Sequence, residues 1–162
     1  MPMGESSGVE TRVRLLGLGN EILADDAFGI RAARAVARRF RGGIEVAVSS
    51  ESGFNLLDHL LGAERLLVVD TIVTGRAKPG SLHIFEEGAF HPAPGVSPHF
   101  VGFFEVLAAA RMLGLPVPRR VSIAAVEAAD CLTVGGAMHP DVRAAIPAVT
   151  AWVAQSLEAA HA

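Results

Sequence analysis

Three short runs of this sequence are almost wholly apolar: RVRLLGL (12–18), RLLVVD (65–70) and VSIAAVE (121–127). A strand with one face in water alternates apolar and polar residues, whereas a strand buried on both faces is continuously apolar. These runs therefore predict central strands of a parallel sheet that is covered by helices on both sides. IEVAVS (44–49) predicts one further parallel strand.

The segments between these strands predict helices, because their apolar residues recur at helical spacing. We expect helices at 30–40, 54–62, 100–113 and 140–160, the last interrupted near Pro147, and a loop at 91–99.

SLHIFE (81–86) predicts a fifth strand with a different direction. Only residues 71–80, which end in a Lys-Pro-Gly turn, separate it from RLLVVD. That gap is too short for a helical crossover, so the strand should run antiparallel at an edge of the sheet. The order of elements predicts a three-layer α/β/α sandwich with a mostly parallel five-stranded sheet and one antiparallel edge strand, of the phosphorylase/hydrolase-like type.

The size and composition of the chain predict one domain. The sequence has 162 residues, 51% of them hydrophobic and 19% charged, which excludes a disordered chain. We expect a flexible N-terminus at 1–11 and a single α/β domain at 12–162. The formal net charge of −3 gives no argument for nucleic acid or a membrane surface as partner. Since the only cysteine, Cys131, has no internal disulfide partner, we expect a cytoplasmic protein.

GLGNEILADDAFGI (17–30) opens like a dinucleotide-binding loop and then departs from it. The third glycine of the dinucleotide fingerprint would fall on Ile22, so the fingerprint fails. Asp25 and Asp26 place negative charge where a helix N-terminus would hold a phosphate. The pair indicates either a cation site or simple capping of the next helix. Because one cap suffices, the second carboxylate is free to point into a cleft.

Two more residues with ligand chemistry are predicted at the same end of the sheet. Asp70 ends the third strand, and His99 begins a helix in the order Ser97-Pro98-His99, where Ser97 is suited to cap the helix. Each of them has a structural alternative, a cap or a hydrogen bond to a neighbouring loop. Taken together, Asp26, Asp70 and His99 form a donor set suited to a first-row divalent metal if the three loops converge.

Other candidates are weaker. His139, in a loop after the last strand, is a second-choice ligand. There is no G-x-S-x-G elbow, and no motif links Cys131 to a base, so a serine or thiol nucleophile is not expected.

The stretch GLGNEILADDAFGI resembles the G-x-G-N-x-[LI]-x-x-D-[DE]-x-x-G signature of the hydrogenase maturation endopeptidases. The resemblance continues through LLVVDTIV, the KPG turn and the SPH that precedes a helix. It extends from Arg12 to near Trp152, in the family's order and spacing. On these motifs the chain is identified as a member of that family.

The resemblance implies an endopeptidase that removes a short C-terminal extension from the large-subunit precursor of a nickel-containing hydrogenase. The family's metal-binding carboxylate, strand-end aspartate and histidine fall on Asp26, Asp70 and His99, and the two aspartates are the expected catalytic residues. Nickel arrives already bound to the precursor, which makes it the recognition element, and cadmium or another divalent ion can replace it in crystals. We expect a monomer.

The loop after the second strand departs from the family. Many relatives carry an Asp-Gly-Gly-Thr-like sequence there, whereas this chain has VSSESG (48–53), with its acidic side chain shifted to Glu51. We expect Gly19, Asn20 and Glu51 to bind the substrate. Two alternatives stay open: a related peptidase with another substrate, such as a spore-germination-type protease, and a non-catalytic binding module with a nucleotide-binding fold.

Overall fold

The computed structural model describes residues 11–89 and 97–161. The flexible terminus predicted at 1–11 lies almost wholly outside the described residues, as does most of the loop predicted at 91–99. Within the described residues, no helix is long and apolar enough to span a bilayer.

The described part of the chain contains one five-stranded sheet in the order β2-β1-β3-β5-β4. The strands are β1 (Val13–Leu18), β2 (Glu45–Ser49), β3 (Arg65–Ile72), β4 (Leu82–Glu86) and β5 (Arg120–Glu127). The first three neighbouring pairs are parallel, and β4 pairs antiparallel with β5 at one edge. This confirms the predicted sheet and its antiparallel edge strand.

In the residues that the structure describes, five α-helices connect and flank the strands. They are α1 (Phe28–Arg39), α2 (Leu57–Leu60), α3 (Phe103–Met112), α4 (Pro140–Arg143) and α5 (Ile146–His161). Short 3-10 turns lie at Ala24–Ala27, Gly53–Leu56, Glu87–Ala89 and Pro98–Phe100.

Two apolar cores confirm the three layers. One core packs α1 and α5 on one face of the sheet, with Val36 and Val153 among its buried members. The other packs α2 and α3 on the opposite face, around Leu60, Phe103 and Leu107. Alternate residues of β3 enter the two cores, and every residue of β3 is buried. This double burial explains why the sequence of β3 is apolar without alternation.

The predicted helix at 100–113 begins three residues later than expected. Gly102 has a positive φ of 74°, a backbone conformation that side chains disfavour, and α3 starts after it. The predicted helix at 54–62 is a 3-10 turn that continues into α2 and ends at Leu60.

The predicted interruption of the last helix is confirmed. It falls between α4 and α5, and Pro147 is the second residue of α5. A proline is tolerated there because the first N–H groups of a helix have no partner within it.

A crevice opens between β1 and β3 at their carboxyl ends. The two strands pair only as far as Gly17 and Val69, whereas β3 goes on pairing with β5 as far as Ile72 and Glu127. The strand order reverses at β1, so this is the place where such sheets bind ligands. Asp70 is the first residue of β3 beyond the β1 pairing. It therefore lies two residues before the end of its strand, rather than ending it as predicted.

Candidate active site

Asp26 lies on the 3-10 turn between β1 and α1, and the turn brings it to the crevice. A β-carbon on Gly19 would lie 2.1 Å from the Asp26 carbonyl oxygen, so only glycine fits there. The Asn20 N–H donates to that same carbonyl at 3.1 Å, and the Asn20 side chain accepts from the Ile22 N–H at 3.2 Å. Gly19 and Asn20 thus shape the loop, while their role in binding substrate stays a prediction.

Asp25, the other member of the acidic pair, is fully buried and does not cap α1. Its carboxylate accepts three backbone N–H groups, from Ala129 at 2.8 Å, Asp130 at 2.9 Å and His139 at 2.7 Å. The expectation that one aspartate caps the helix is therefore wrong. Asp25 instead fastens the loop after β5, more than a hundred residues further along the chain. Local sequence carries no signal for this role.

Asp70 is fully buried, and its carboxylate is only partly hydrogen-bonded. Oδ1 accepts the Thr71 N–H at 2.7 Å, whereas Oδ2 has no hydrogen-bond partner at normal distance and angle among the described residues. Burial raises the pKa of Asp70 to about 7, although His99, the Thr71 N–H and the Ser97 hydroxyl act in the opposite direction. A buried oxygen without a partner is rare in folded proteins and marks a position where a ligand would be stabilised.

His99 lies on the Pro98–Phe100 turn, which the Ser97 hydroxyl caps by accepting the His99 N–H at 3.3 Å. This confirms the predicted cap. The imidazole is buried, with Nδ1 3.3 Å from the Glu51 carbonyl oxygen and Nε2 3.3 Å from Asp26 Oδ2. Burial lowers the pKa of His99, but the Asp26 hydrogen bond and the nearby Asp70 outweigh that effect and leave it raised.

The three predicted ligands converge. Asp26, Asp70 and His99 each offer one ligand atom, and these atoms all lie within 4.8 Å of one another. In the described part of the chain this is the one such cluster of histidine, cysteine and acidic side chains. Two carboxylates and an imidazole suit a first-row divalent ion. The orphaned Asp70 Oδ2 fits such an ion as well, since coordination would satisfy it.

A cleft of about 290 Å³ adjoins the cluster. Asp26, Thr71 and Cys131 are among the residues that line it. The Thr71 hydroxyl lies 3.4 Å from Asp26 Oδ1 and 3.6 Å from Cys131 Sγ, a contribution that the sequence analysis missed although Thr71 directly follows Asp70. Burial raises the pKa of Cys131 to about 11, so the thiol stays protonated, as expected of a non-nucleophile.

The structure places the two remaining candidates away from the cluster. His139 caps α4, since its Nδ1 accepts the Asp141 N–H at 3.1 Å, so this second-choice ligand has a structural role. The Glu51 side chain is exposed and accepts from Asn55 at 3.2 Å. Only the Glu51 backbone carbonyl reaches the cluster, through His99.

Comparisons with known proteins identify the family of this chain. The family model of HycI, hydrogenase maturation protease, matches residues 10–156. The hydrogenase expression/formation protein HupM of Azotobacter chroococcum is 32% identical over 143 residues, which are 85% of this chain and 68% of that protein. The hydrogenase 2 maturation protease of Escherichia coli is 30% identical over 119 residues, 71% of this chain and 72% of that one.

Solved structures show the same fold. The hydrogenase maturating endopeptidase HybD from E. coli superposes with a TM-score of 0.77 and 27% identity, covering 91% of this chain and 92% of that one. The fold and the crevice thus define a three-layer α/β enzyme with a buried carboxylate–imidazole site. The chain belongs to the hydrogenase maturation protease family. It is a peptidase, and its family acts on the precursors of hydrogenase large subunits.

Proposed function

We propose that this enzyme removes the C-terminal extension of a hydrogenase large-subunit precursor that already carries nickel, and that Asp26, Asp70 and His99 bind this nickel. The observation that carries the proposal is the convergence of three buried ligand atoms within 4.8 Å in a member of this peptidase family. Because the nickel belongs to the substrate, the cluster binds a loaded precursor more tightly than an unloaded one.

The donor set explains why loading would matter. Without a cation, two buried carboxylates lie close together with only one imidazole between them, and Asp70 Oδ2 has no partner. A precursor that contains nickel supplies the missing positive charge, whereas an unloaded precursor does not. The difference in binding free energy between the two precursors provides a checkpoint before cleavage.

Each residue of the cluster has a distinct part in this proposal. The Glu51 carbonyl orients His99 by accepting from Nδ1–H, which directs Nε2 toward Asp26. A metal would replace the Nε2 proton that lies between the two side chains. Asp26 and Asp70 are the proposed catalytic carboxylates. In the metal-free site burial raises the pKa of Asp70 to about 7, and a bound cation would lower it and favour the carboxylate form that a ligand or base needs.

The alternatives predict different behaviour. If both aspartates only capped a helix, a non-catalytic binding module would be the better hypothesis. Neither aspartate caps α1. A peptidase with another substrate would cleave without regard to nickel loading.

We further propose that the enzyme acts as a monomer in the cytoplasm.

The experiment is a cleavage assay on nickel-loaded and nickel-free precursor, with the lost C-terminal peptide followed by mass spectrometry. We expect cleavage of the loaded precursor alone. Asp26→Asn and His99→Ala should each abolish it while circular dichroism shows an intact fold. His59 lies on α2 and is not part of the cluster, so His59→Ala is the matched control and should cleave normally. Normal processing by both cluster variants would disprove the site.

A crystal soak tests the ligands directly. Crystals exposed to nickel or cadmium should show density about 2.0–2.4 Å from all three side chains, the range of such bonds. Density bound elsewhere, with the three side chains unchanged, would contradict the assignment.

A further inference from the structure

Several large exposed apolar side chains lie on the loops that carry the cleft and the ligand cluster. Leu132, which lines the cleft, is 85% exposed. Val134 and Ile22, 72% and 60% exposed, lie on the loops after β5 and β1, which the bridge between Leu23 and Val134 joins. Phe54 and Val101, 74% and 69% exposed, lie on the loops that carry Glu51 and His99. We call Ile22, Leu132 and Val134 the first wall, and Phe54 and Val101 the second wall.

The first wall is held in place by backbone hydrogen bonds. Leu23 and Val134 form an antiparallel bridge, and the Gly135 N–H donates to the Ile22 carbonyl at 2.7 Å. The buried carboxylate of Asp25 anchors the same loop at residues 129 and 130. These contacts keep the apolar side chains at the surface and prevent them from folding inward.

The second wall is joined to the histidine ligand. Val101 follows the turn that carries His99, and Phe54 follows Gly53. A β-carbon on Gly102 would lie 3.3 Å from the Gly53 α-carbon, so the two loops are in close contact. The His99–Glu51 contact links the same two loops. Each wall is thus attached to one of the segments that supply the ligand cluster.

The cleft connects this apolar surface with the cluster. Leu132 and Asp26 line the same cleft, together with the half-exposed Val73. A polypeptide whose backbone reaches Asp26 therefore places its neighbouring side chains against apolar surface. The acidic side chains Glu51 and Asp130 stand exposed beside the walls and would repel acidic residues.

We propose that the two walls bind an apolar segment of the precursor, without acidic side chains, that flanks the scissile bond. This inference rests on the proposed function, and it adds the substrate chemistry that the cleft selects. Burial of apolar side chains contributes binding free energy in proportion to the area removed from water. The walls therefore contribute affinity for the precursor, while the cluster discriminates between nickel-loaded and nickel-free precursor.

The test replaces the walls by serine and keeps the ligands. Leu132→Ser combined with Val134→Ser should raise KM for the loaded precursor by about tenfold and leave kcat nearly unchanged, because two side chains lose apolar contact. Phe54→Ser should act in the same direction. Direct binding of the precursor to each variant, measured by interferometry, should weaken by the same factor.

Met112 and Leu113 provide the matched control. They are 89% and 77% exposed at the end of α3, which leads into β5 at the opposite end of the sheet. The Met112→Ser and Leu113→Ser double variant should leave KM and binding unchanged. Equal effects from both pairs, or none from the walls, would overturn the inference.

The outcomes separate this inference from the proposed function. If the wild type does not cleave loaded precursor, the proposed function fails, while the binding measurement still tests the walls. If the wild type cleaves and the wall variants equal it, only the inference fails. Analytical ultracentrifugation covers one other occupant: a wild-type dimer that Leu132→Ser dissociates would show that a second copy covers the wall, which overturns the inference.

Discussion

Strands β3 and β5 lie side by side, and each buries a carboxylate near its carboxyl end, yet the two are hydrogen-bonded very differently. Glu127 at the end of β5 accepts the Thr74 N–H at 2.8 Å, the Gly75 N–H at 2.9 Å and the Thr74 hydroxyl at 2.9 Å. Asp70 in β3 accepts a single N–H on Oδ1, and its Oδ2 accepts none.

This difference separates a carboxylate that holds a loop in place, which we call an anchor, from a carboxylate that can bind a ligand, which we call a site. A carboxylate whose oxygens are satisfied within the protein holds a loop and has little to gain from a ligand. One that is buried and left short of partners gains free energy when a cation or proton arrives. The acidic pair repeats the contrast. Asp25 accepts three backbone N–H groups, whereas the Asp26 carboxylate is hydrogen-bonded, among the described residues, only to the His99 ring and the Thr71 hydroxyl.

The sharpest way to break the comparison is to neutralise each carboxylate in turn. Asp70→Asn should lower the rate of precursor cleavage by about a thousandfold, in the range that a lost acid–base group removes. Glu127→Gln should stay within a few-fold of the wild type, because Glu127 is not part of the ligand cluster. Both rates are read from the released peptide by mass spectrometry. Equal losses in the two variants would show that the contrast has no functional meaning.

The effects on stability should have the opposite order: substitution of Glu127 should lower the free energy of unfolding more than substitution of Asp70. Glu127→Ala leaves the Thr74 and Gly75 N–H groups without their acceptor and should lower the free energy of unfolding by about 3 kcal/mol. Asp70→Asn should not lower it at pH 7, since the variant removes a poorly solvated charge. Urea denaturation of the metal-free proteins measures both values. A larger loss for Asp70→Asn would reverse the assignment of anchor and site.

The pH dependence of stability should identify Asp70. Burial raises its pKa to about 7 in the folded protein, against about 3.9 in an unfolded chain. Between these values the folded state holds a proton that the unfolded state has lost, so the stability from Asp70 is full below about pH 4 and falls as the pH rises to about 7. The slope is about 1.4 kcal/mol per pH unit.

Urea titrations of the metal-free protein from pH 4 to 7 measure this slope. Asp70→Asn should remove it. His99 remains in that variant, and its pKa is also raised. It therefore makes the free energy of unfolding decline further as the pH rises above about 6.5, the usual pKa of a histidine. If wild type and variant gain or lose stability in parallel from pH 4 to 6, the assignment to Asp70 is wrong.

The smallest effect concerns the backbone that presents the acidic pair. Ala24 has a positive φ of 42°, which among the described non-glycine residues occurs only there. Ala24→Gly removes the side chain that disfavours this conformation, so stability should change by no more than about 1 kcal/mol and cleavage should be kept. Thermal unfolding and the cleavage assay measure the two effects. Loss of cleavage would mean that the strained residue itself contributes to the site.

Much of the fold was predictable from local patterns. Continuous apolar runs predicted β1, β3 and β5, and the short spacer before 81–86 predicted the antiparallel edge strand. The convergence of Asp26, Asp70 and His99 was predictable because the strand order sends their loops to the same end of the sheet. Periodicity and spacing suffice here, because the pattern of apolar residues within each element indicates which of its faces are buried.

What only the tertiary structure decided are the pairings between distant segments. The sequence analysis placed Asp26 in the ligand set without assigning a role to Asp25, and the structure supplies that role because the N–H groups that satisfy Asp25 come from residues 129–139. The structure likewise shows that Asp70 lies just beyond the pairing of β1 with β3 and that its Oδ2 has no hydrogen-bond partner among the described residues. A hydrogen bond between a side chain and a remote backbone group leaves no local pattern, because its partners meet only after the sheet and its loops have formed. The sequence by itself therefore determined which residues reach the crevice, and the folded chain decided which of them remain free to act.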